Sequence, residues 1–175
     1  APAGGDALTS ALEAEKLSLE RAREIGIVIA KNRGGFFDTF RGRVIFPILD
    51  IRGVPIGLGG RALGDEKPKY LNTAESAVYH KGENLYGLFL ARKEITEKNL
   101  AIVTEGYFDV IALHQAGIRN AVAPLGTALT ERQVKMLGRD ASKVVLLFDG
   151  DAAGRGAALR SVEIVLHSAL DCAVA

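Results

Sequence analysis

A single cysteine, Cys172, stands in the 175 residues. One thiol excludes an intrachain disulfide and any cysteine-based zinc site, and it fits a reducing, cytoplasmic setting. The three histidines, His80, His114 and His167, lie far apart and show no ligand spacing, so they read as ordinary surface or helix residues. No apolar stretch approaches the roughly 18 residues that suggest a membrane span. Ala1 to Ser10 is small and polar, without the basic and apolar regions of a secretory signal. There is no Walker A string and no Gly-x-Ser-x-Gly elbow. Gly57-Leu58-Gly59-Gly60 lacks the third glycine and the helix that a dinucleotide site needs. Because it opens on alanine, the chain is expected to be a piece of a longer protein.

Hydrophobic residues make up 48% and charged residues 25%, which is enough apolar material for a folded core and excludes a disordered chain. The net charge of +1 says nothing about partners, but its distribution is uneven. Lys31 to Lys81 holds nine basic residues against five acids, a balance of +4, and the remainder holds 13 against 16, a balance of −3. A basic front and an acidic back suit a protein that holds a polyanion with one part and metal with the other. Ordinary surface charge would give the same pattern.

Residues 7 to 24 carry apolar side chains at helical spacing and predict one amphipathic helix. Lys31 to Gly35 reads as a loop. Arg43 to Leu49 and Val54 to Gly59 read as a hairpin turning at Asp50 to Gly53, with Pro47 placing its strand at an edge or bulge. Asp65 to Tyr79 reads as a structured loop, and Asn84 to Lys93 as a helix. From residue 100 the rhythm becomes strand, helix, repeated three times. The strands are Leu100 to Thr104, Asn120 to Ala123 and Lys143 to Phe148. The helices are Phe108 to Gln115, Thr130 to Leu137 and Ala157 to Leu170. Thr130 and Gln133 have capping-box spacing. This alternation predicts an α/β fold with a parallel sheet covered on both faces.

Glu105 and Asp149 each follow the last apolar residue of a predicted strand, where open parallel sheets bind their ligands. Gly150 lets the chain turn so that Asp151 can face the same point, and Asp109 lies one turn into the next helix. Taken alone, Asp149-Gly150-Asp151 reads equally as a turn or helix cap, and Glu105 and Asp109 as surface acids. Together on two strand-to-helix turns they point to a divalent metal. Converging carboxylates repel unless a cation lies between them, and Mg²⁺ prefers such oxygen ligands. Tyr107 and Phe108 could stack on bases, though core packing explains both.

Glu105-Gly106-Tyr107-Phe108-Asp109, followed by Asp149-Gly150-Asp151-Ala152-Ala153-Gly154-Arg155, resembles the TOPRIM fold of topoisomerases, some nucleases and bacterial primases. Upstream, Phe40-Arg41-Gly42-Arg43-Val44-Ile45-Phe46-Pro47-Ile48 resembles the arginine-rich motif of the DnaG-type bacterial primases. Gly59-Gly60-Arg61, Pro68-Lys69-Tyr70-Leu71-Asn72, His80-Lys81-Gly82, Leu85-Tyr86-Gly87 and Leu125-Gly126-Thr127 are similar to its other motifs, in the expected order. The likeness covers residues 36 to 170.

That resemblance implies roles. Glu105, Asp149 and Asp151 would bind catalytic Mg²⁺, for which Mn²⁺ can substitute, with Asp109 in support. Arg41, Arg43, Arg61, Lys69 and Lys81 would contact template or incoming nucleotide, since Arg and Lys neutralise phosphates whatever the sequence. The activity implied is template-directed synthesis of RNA primers from ribonucleoside triphosphates on single-stranded DNA, in the bacterial cytoplasm at the replication fork. The family's zinc-ribbon domain, and its domain for the replicative helicase, are expected to lie outside this chain. Within it, a smaller N-terminal mixed α/β subdomain (residues 1–95) is expected to precede a TOPRIM subdomain (residues 96–175). This chain is expected to fold and to bind metal and DNA, whereas primer synthesis belongs to the complete core. Three other readings stay open. A TOPRIM nuclease would share the acids. A haloacid-dehalogenase-type phosphatase would share Asp-x-Asp but has no use for Glu105. A non-catalytic DNA-binding module would use the acids only as caps.

Overall fold

In the computed structural model, which describes residues 1–175, the first helix, α1 (Ala7–Ala14), stops before Lys16 takes a left-handed φ of 56°. A second helix, α2 (Leu19–Glu24), restarts at Ser18, whose hydroxyl accepts from Arg21 N–H at 3.3 Å. The single helix expected over residues 7 to 24 is therefore two. The apolar periodicity survives the break because α1 and α2 pack on consecutive strands of one hairpin, β1 (Val28–Ala30) and β2 (Phe36–Asp38). That hairpin encloses the expected loop at residues 31–35.

Strand β3 (Arg43–Leu49) has the expected bounds and, with Pro47, lies at the edge of a three-stranded sheet of order β3-β4-β5. Strand β4 (Pro55–Ala62) runs through the glycine-rich stretch, and β5 (Tyr70–Asn72) pairs with it antiparallel. The glycines of β4 have a packing cause. A Cβ on Gly60 would stand 2.7 Å from the Phe40 ring, and one on Gly57 would stand 2.7 Å from the Thr73 hydroxyl. The run accommodates side chains laid across the strand, not a dinucleotide. Strand β5, inside the segment expected to be a loop, is short and lacks an alternating pattern.

A 3₁₀ turn (Lys81–Glu83) leads to α3 (Leu88–Lys98), which Asn99 closes in a left-handed conformation. The order then runs β6 (Leu100–Val103), α4 (Tyr107–Gln115), β7 (Ala121–Val122), α5 (Glu131–Leu137), β8 (Lys143–Leu146), α6 (Ala152–Leu166) and β9 (Asp171–Val174). The expected capping box of α5 is present, with Thr130 and Gln133 as its partners. Helix α6 starts five residues earlier than expected because the Asp151 side chain caps it. Strand β9 has no counterpart in the sequence expectations, since its mixed residues carry no strand signal.

All four strands of this sheet are parallel, in the order β7-β6-β8-β9. Chain direction across the sheet reverses after β7, so the switch point falls between β6 and β8. A buried core of Leu88, Ala91, Ile95, Val103, Val144, Leu146 and Val165, among others, fills the space between sheet and helices. This is the α/β parallel-sheet fold the sequence pattern predicts. By packing, Ala1–Ile48 with Pro55–His80 form one unit, and Leu49–Val54 with Lys81–Ala175 form the other. Helix α3 lies against β6 and β7, so packing groups it with the parallel sheet.

Candidate active site

Strands β6 and β8 run side by side with Val103 opposite Leu146. Their ladder continues one step further, where Leu147 N–H donates to Val103 C=O at 2.8 Å. Glu105 and Asp149 therefore leave the sheet from adjacent strands at its carboxyl edge, at the switch point where ligands of open α/β sheets bind. The Glu105 carboxylate (Oε1) accepts a hydrogen bond from Asp149 N–H at 2.8 Å. Both side chains are exposed.

Two further contacts shape the turn after β8. Asp151 Oδ1 accepts from Gly154 N–H at 2.8 Å and so caps α6. The Arg155 guanidinium donates to the Gly150 carbonyl. Gly154 leaves no room for a side chain, since a Cβ there would lie 2.1 Å from Asp149 O and 2.7 Å from Glu105 Oε1. Asp109 turns back to accept from Gly106 N–H at 3.0 Å, supporting the turn that carries Glu105. The acids are thus partly held by backbone N–H groups. No three carboxylate, imidazole or thiol groups of the chain converge as a metal-binding cluster.

The donor chemistry nonetheless fits a hard divalent cation. Glu105, Asp149 and Asp151 offer oxygen alone, and Mg²⁺ is usually taken by one or two carboxylates together with substrate phosphates. Glu105 and Asp151 each give one carboxylate oxygen to a backbone N–H, and each carboxylate has a second oxygen. The histidines serve elsewhere. His114 Nε2–H donates to Ala121 C=O at 2.9 Å, His167 Nδ1–H to Glu163 C=O at 2.6 Å, and His80 pairs with Glu75 at 3.0 Å.

Lys81 belongs to the same packing unit as the acids. Its turn leads to Tyr86, which bridges to Ala123 just past β7 and sets its ring 4.7 Å from that of Tyr107, two residues after Glu105. The segment carrying Lys81 therefore reaches the carboxyl edge of the sheet. Sequence reasoning missed what anchors it. Gln133, fully buried, donates through Nε2 to the carbonyls of Lys81 at 3.1 Å and Asn84 at 2.6 Å. The capping-box spacing was visible, but the reach of this amide across 52 residues was not.

The other basic residues fall in the first unit. Arg43 is buried, and its guanidinium donates to Lys69 C=O at 3.3 Å, so it braces the residue that leads into β5. The same carbonyl accepts from Ala62 N–H at 2.9 Å, which brings Lys69 beside the end of β4, next to Arg61. Arg41 is exposed, lies 4.9 Å over the Phe37 ring and donates to Asp38 C=O. Of the five, Arg43 is the one whose burial suits bracing better than contact with a strand.

A family model described as DNA primase catalytic core, N-terminal domain, matches residues 1–92, and a Toprim domain model matches residues 99–175. The DNA primase of Pseudomonas aeruginosa is 49% identical over 172 residues, which is 98% of this chain and 26% of that protein. A crystal structure of a DNA primase domain from Pseudomonas aeruginosa superposes with a TM-score of 0.92 at 47% identity, covering 99% of this chain and 56% of that one. A structure of the DnaG primase catalytic domain bound to ssDNA gives 0.88 at 40% identity, covering 99% and 57%. The chain spans about a quarter of the length of the curated relatives it matches. Both halves of the chain thus lead to one place: it belongs to the bacterial DNA primase family, and carries the N-terminal part of the catalytic core followed by a Toprim domain.

Proposed function

We propose that this chain is the nucleotidyl-transfer core of a protein that synthesises short RNA primers from ribonucleoside triphosphates on a single-stranded DNA template. The observation that carries the reading is the pairing of Glu105 with the Asp149 turn at the switch point of the parallel sheet. Adjacent acids at that edge are what phosphoryl transfer needs, and the chain supplies oxygen donors alone for the cation.

Glu105, Asp149 and Asp151 would hold Mg²⁺, or Mn²⁺ in its place, and Asp109 would keep the Glu105 turn in position. A bound cation supplies charge neutralisation at the triphosphate and lowers the cost of deprotonating the attacking 3′-hydroxyl. Around it, Lys81 offers its ammonium to phosphate as a compact point charge. Arg41, Arg61 and Lys69 supply sequence-independent attraction for the template backbone, with Arg43 holding Lys69 in place. That a primase catalytic domain has been solved with ssDNA supports single-stranded DNA as the partner. Zinc has no place in the proposal, because the single Cys172 lies on β9 beside Val144. The setting we propose is the bacterial cytoplasm at the replication fork, with the replicative helicase met through sequence beyond this chain. No helix is long and apolar enough to cross a membrane.

The test is a crystal soaked in Mn²⁺ with an anomalous map, paired with a dinucleotide-synthesis assay on the full core. An anomalous peak touching Glu105 and the Asp149 turn, with synthesis in the assay, supports the proposal. A peak on Asp149 and Asp151 with Glu105 remote favours a phosphatase, and DNA cleavage without synthesis favours a Toprim nuclease.

A further inference from the structure

We infer that Gln133 and Thr130, at the start of α5, are positioning residues that deliver Lys81 to the active edge. The inference rests on the proposed role of Lys81 in holding phosphate. Three carbonyls of the turn that carries Lys81 are taken by these two side chains. Gln133 Nε2 donates to Lys81 C=O at 3.1 Å and to Asn84 C=O at 2.6 Å. Thr130 Oγ1 donates to Gly82 C=O at 2.7 Å.

The clamp is itself locked. Gln133 Oε1 accepts from Thr130 N–H at 3.0 Å, and Thr130 Oγ1 accepts from Gln133 N–H at 3.2 Å. Gln133 is fully buried, so its amide cannot exchange these partners for water. Only a primary amide meets the demand at this point, because one acceptor and two donors are used in three directions. A carboxylate of the same shape would keep the acceptor and lose both donors. At the rim, the Arg132 guanidinium pairs with Glu83 at 2.7 Å and closes the same turn from outside.

A turn held at its carbonyls has its backbone orientation fixed, and with it the direction in which the Lys81 stem leaves. The ammonium keeps the reach of a four-carbon stem, while the point it starts from does not wander. The turn's other end is tied to the catalytic edge through the Tyr86 bridge to Ala123 and the Tyr86–Tyr107 ring contact. Helix α5 contributes no acid to the carboxylate set and would otherwise have only a packing role. Its capping box gives it this second one.

The test is a double-mutant cycle in the full-length primase that contains this chain. The variants are Gln133→Met, Gln133→Glu, Lys81→Ala and the pairs with Lys81→Ala, read by KM and kcat for ribonucleoside triphosphate in dinucleotide synthesis and by thermal melting. Gln133→Glu keeps volume and the bond from Thr130 N–H but turns an acceptor toward two carbonyls, so Thr130→Val covers the case in which the Gln133 variants fail to fold. We expect either Gln133 variant to raise KM about tenfold or more, with kcat changing less. In the Lys81→Ala background the same substitution should add nothing, because non-additivity marks a shared pathway. Thr130→Val should raise KM in the same manner, and Thr130→Ser should recover most of it.

Additive losses, or a fall in kcat that follows the melting temperature, would overturn the inference by making α5 a general scaffold. A normal KM in Gln133→Glu, with Lys81→Ala impaired, would overturn it while leaving the role of Lys81 intact. A Lys81→Ala enzyme as active as the parent would instead remove the reading on which the inference rests.

Discussion

The Glu105 carboxylate accepts a hydrogen bond from the backbone N–H of Asp149 at 2.8 Å, across adjacent strands of the parallel sheet. One acid thus orients the turn that carries the other two. The bond separates two roles of Glu105, since orienting the turn needs only an oxygen acceptor, while holding a cation needs the charge.

Glu105→Gln tests that separation. The amide oxygen can still accept from Asp149 N–H, so the fold should hold, with a stability change within about 0.5 kcal/mol for an exposed position. Dinucleotide synthesis by the full core should fall by about a hundredfold or more, as when a single charged or dipolar group is removed from a reacting centre. Parallel melting curves and assays on purified variant and parent would check this. Near-parental synthesis would withdraw the catalytic assignment of Glu105.

Gly154, in the first turn of α6, should be the least replaceable glycine beside the Asp-Gly-Asp turn. A Cβ there would meet Asp149 O at 2.1 Å and Glu105 Oε1 at 2.7 Å, and the nearer of the two is backbone that cannot swing aside. Gly154→Ala must push α6 away from the turn, at a cost of about 1–3 kcal/mol, and Mn²⁺ affinity should fall with it. Gly156→Ala is the internal control. Its new Cβ would come no nearer than 3.4 Å, to the Arg160 guanidinium, so helix propensity should stabilise the protein by about 0.5–1 kcal/mol. Chemical denaturation of both variants decides the point, and equal effects would show that crowding at Gly154 is not the cause.

Asp151 combines a cap with a proposed metal ligand, and two substitutions divide them. Asparagine is as good a cap as aspartate, so Asp151→Asn should keep α6 in place while losing Mn²⁺ affinity and synthesis. Asp151→Ala should lose both, with a further penalty of about 1 kcal/mol from the uncapped Gly154 N–H. If Asp151→Asn retains full Mn²⁺ affinity in an isothermal titration, the residue is a cap and no ligand.

The parallel sheet and the edge that carries Glu105, Asp149 and Asp151 were legible because apolar runs ended in acids at βα turns, a local signal. Strand β9 was not legible. Its residues, Asp171 to Val174, are ordered by pairing with β8, a contact the local sequence does not encode. The break at Lys16 was hidden for a related reason. Apolar periodicity reports the buried face, and α1 and α2 bury theirs against one hairpin. Arg43 illustrates the limit for function, since an arginine motif announces charge and not direction. This guanidinium points inward to Lys69 C=O. The buried Gln133 amide belongs to the same class, because its partners lie about fifty residues upstream.

Asp38 should govern the acid stability of the first unit. It is buried on β2, and its carboxylate accepts from Leu8 N–H at 2.7 Å, Thr9 N–H at 2.9 Å and the Thr9 hydroxyl at 2.7 Å. It caps α1 from outside the helix, where Asp6 makes no side-chain cap of its own. Burial pushes the Asp38 carboxyl upward. The bonds from Leu8 and Thr9, with the Arg41 guanidinium nearby, outweigh it and hold the group below the usual carboxylate range. A depressed folded pKa makes a contribution to stability that is fully present above the unfolded value, near 4. That contribution is lost as pH falls through the folded value. Asp38→Asn should remove it, costing about 1.5–3 kcal/mol at neutral pH for charge-assisted hydrogen bonds. Below pH of about 4 the gap between parent and variant should narrow, because the parent then loses the same charge. Urea denaturation of both proteins from pH 7 to about pH 2.5 measures it. Curves that stay parallel throughout would mean that Asp38 carries no linked proton, and that α1 is held by packing alone.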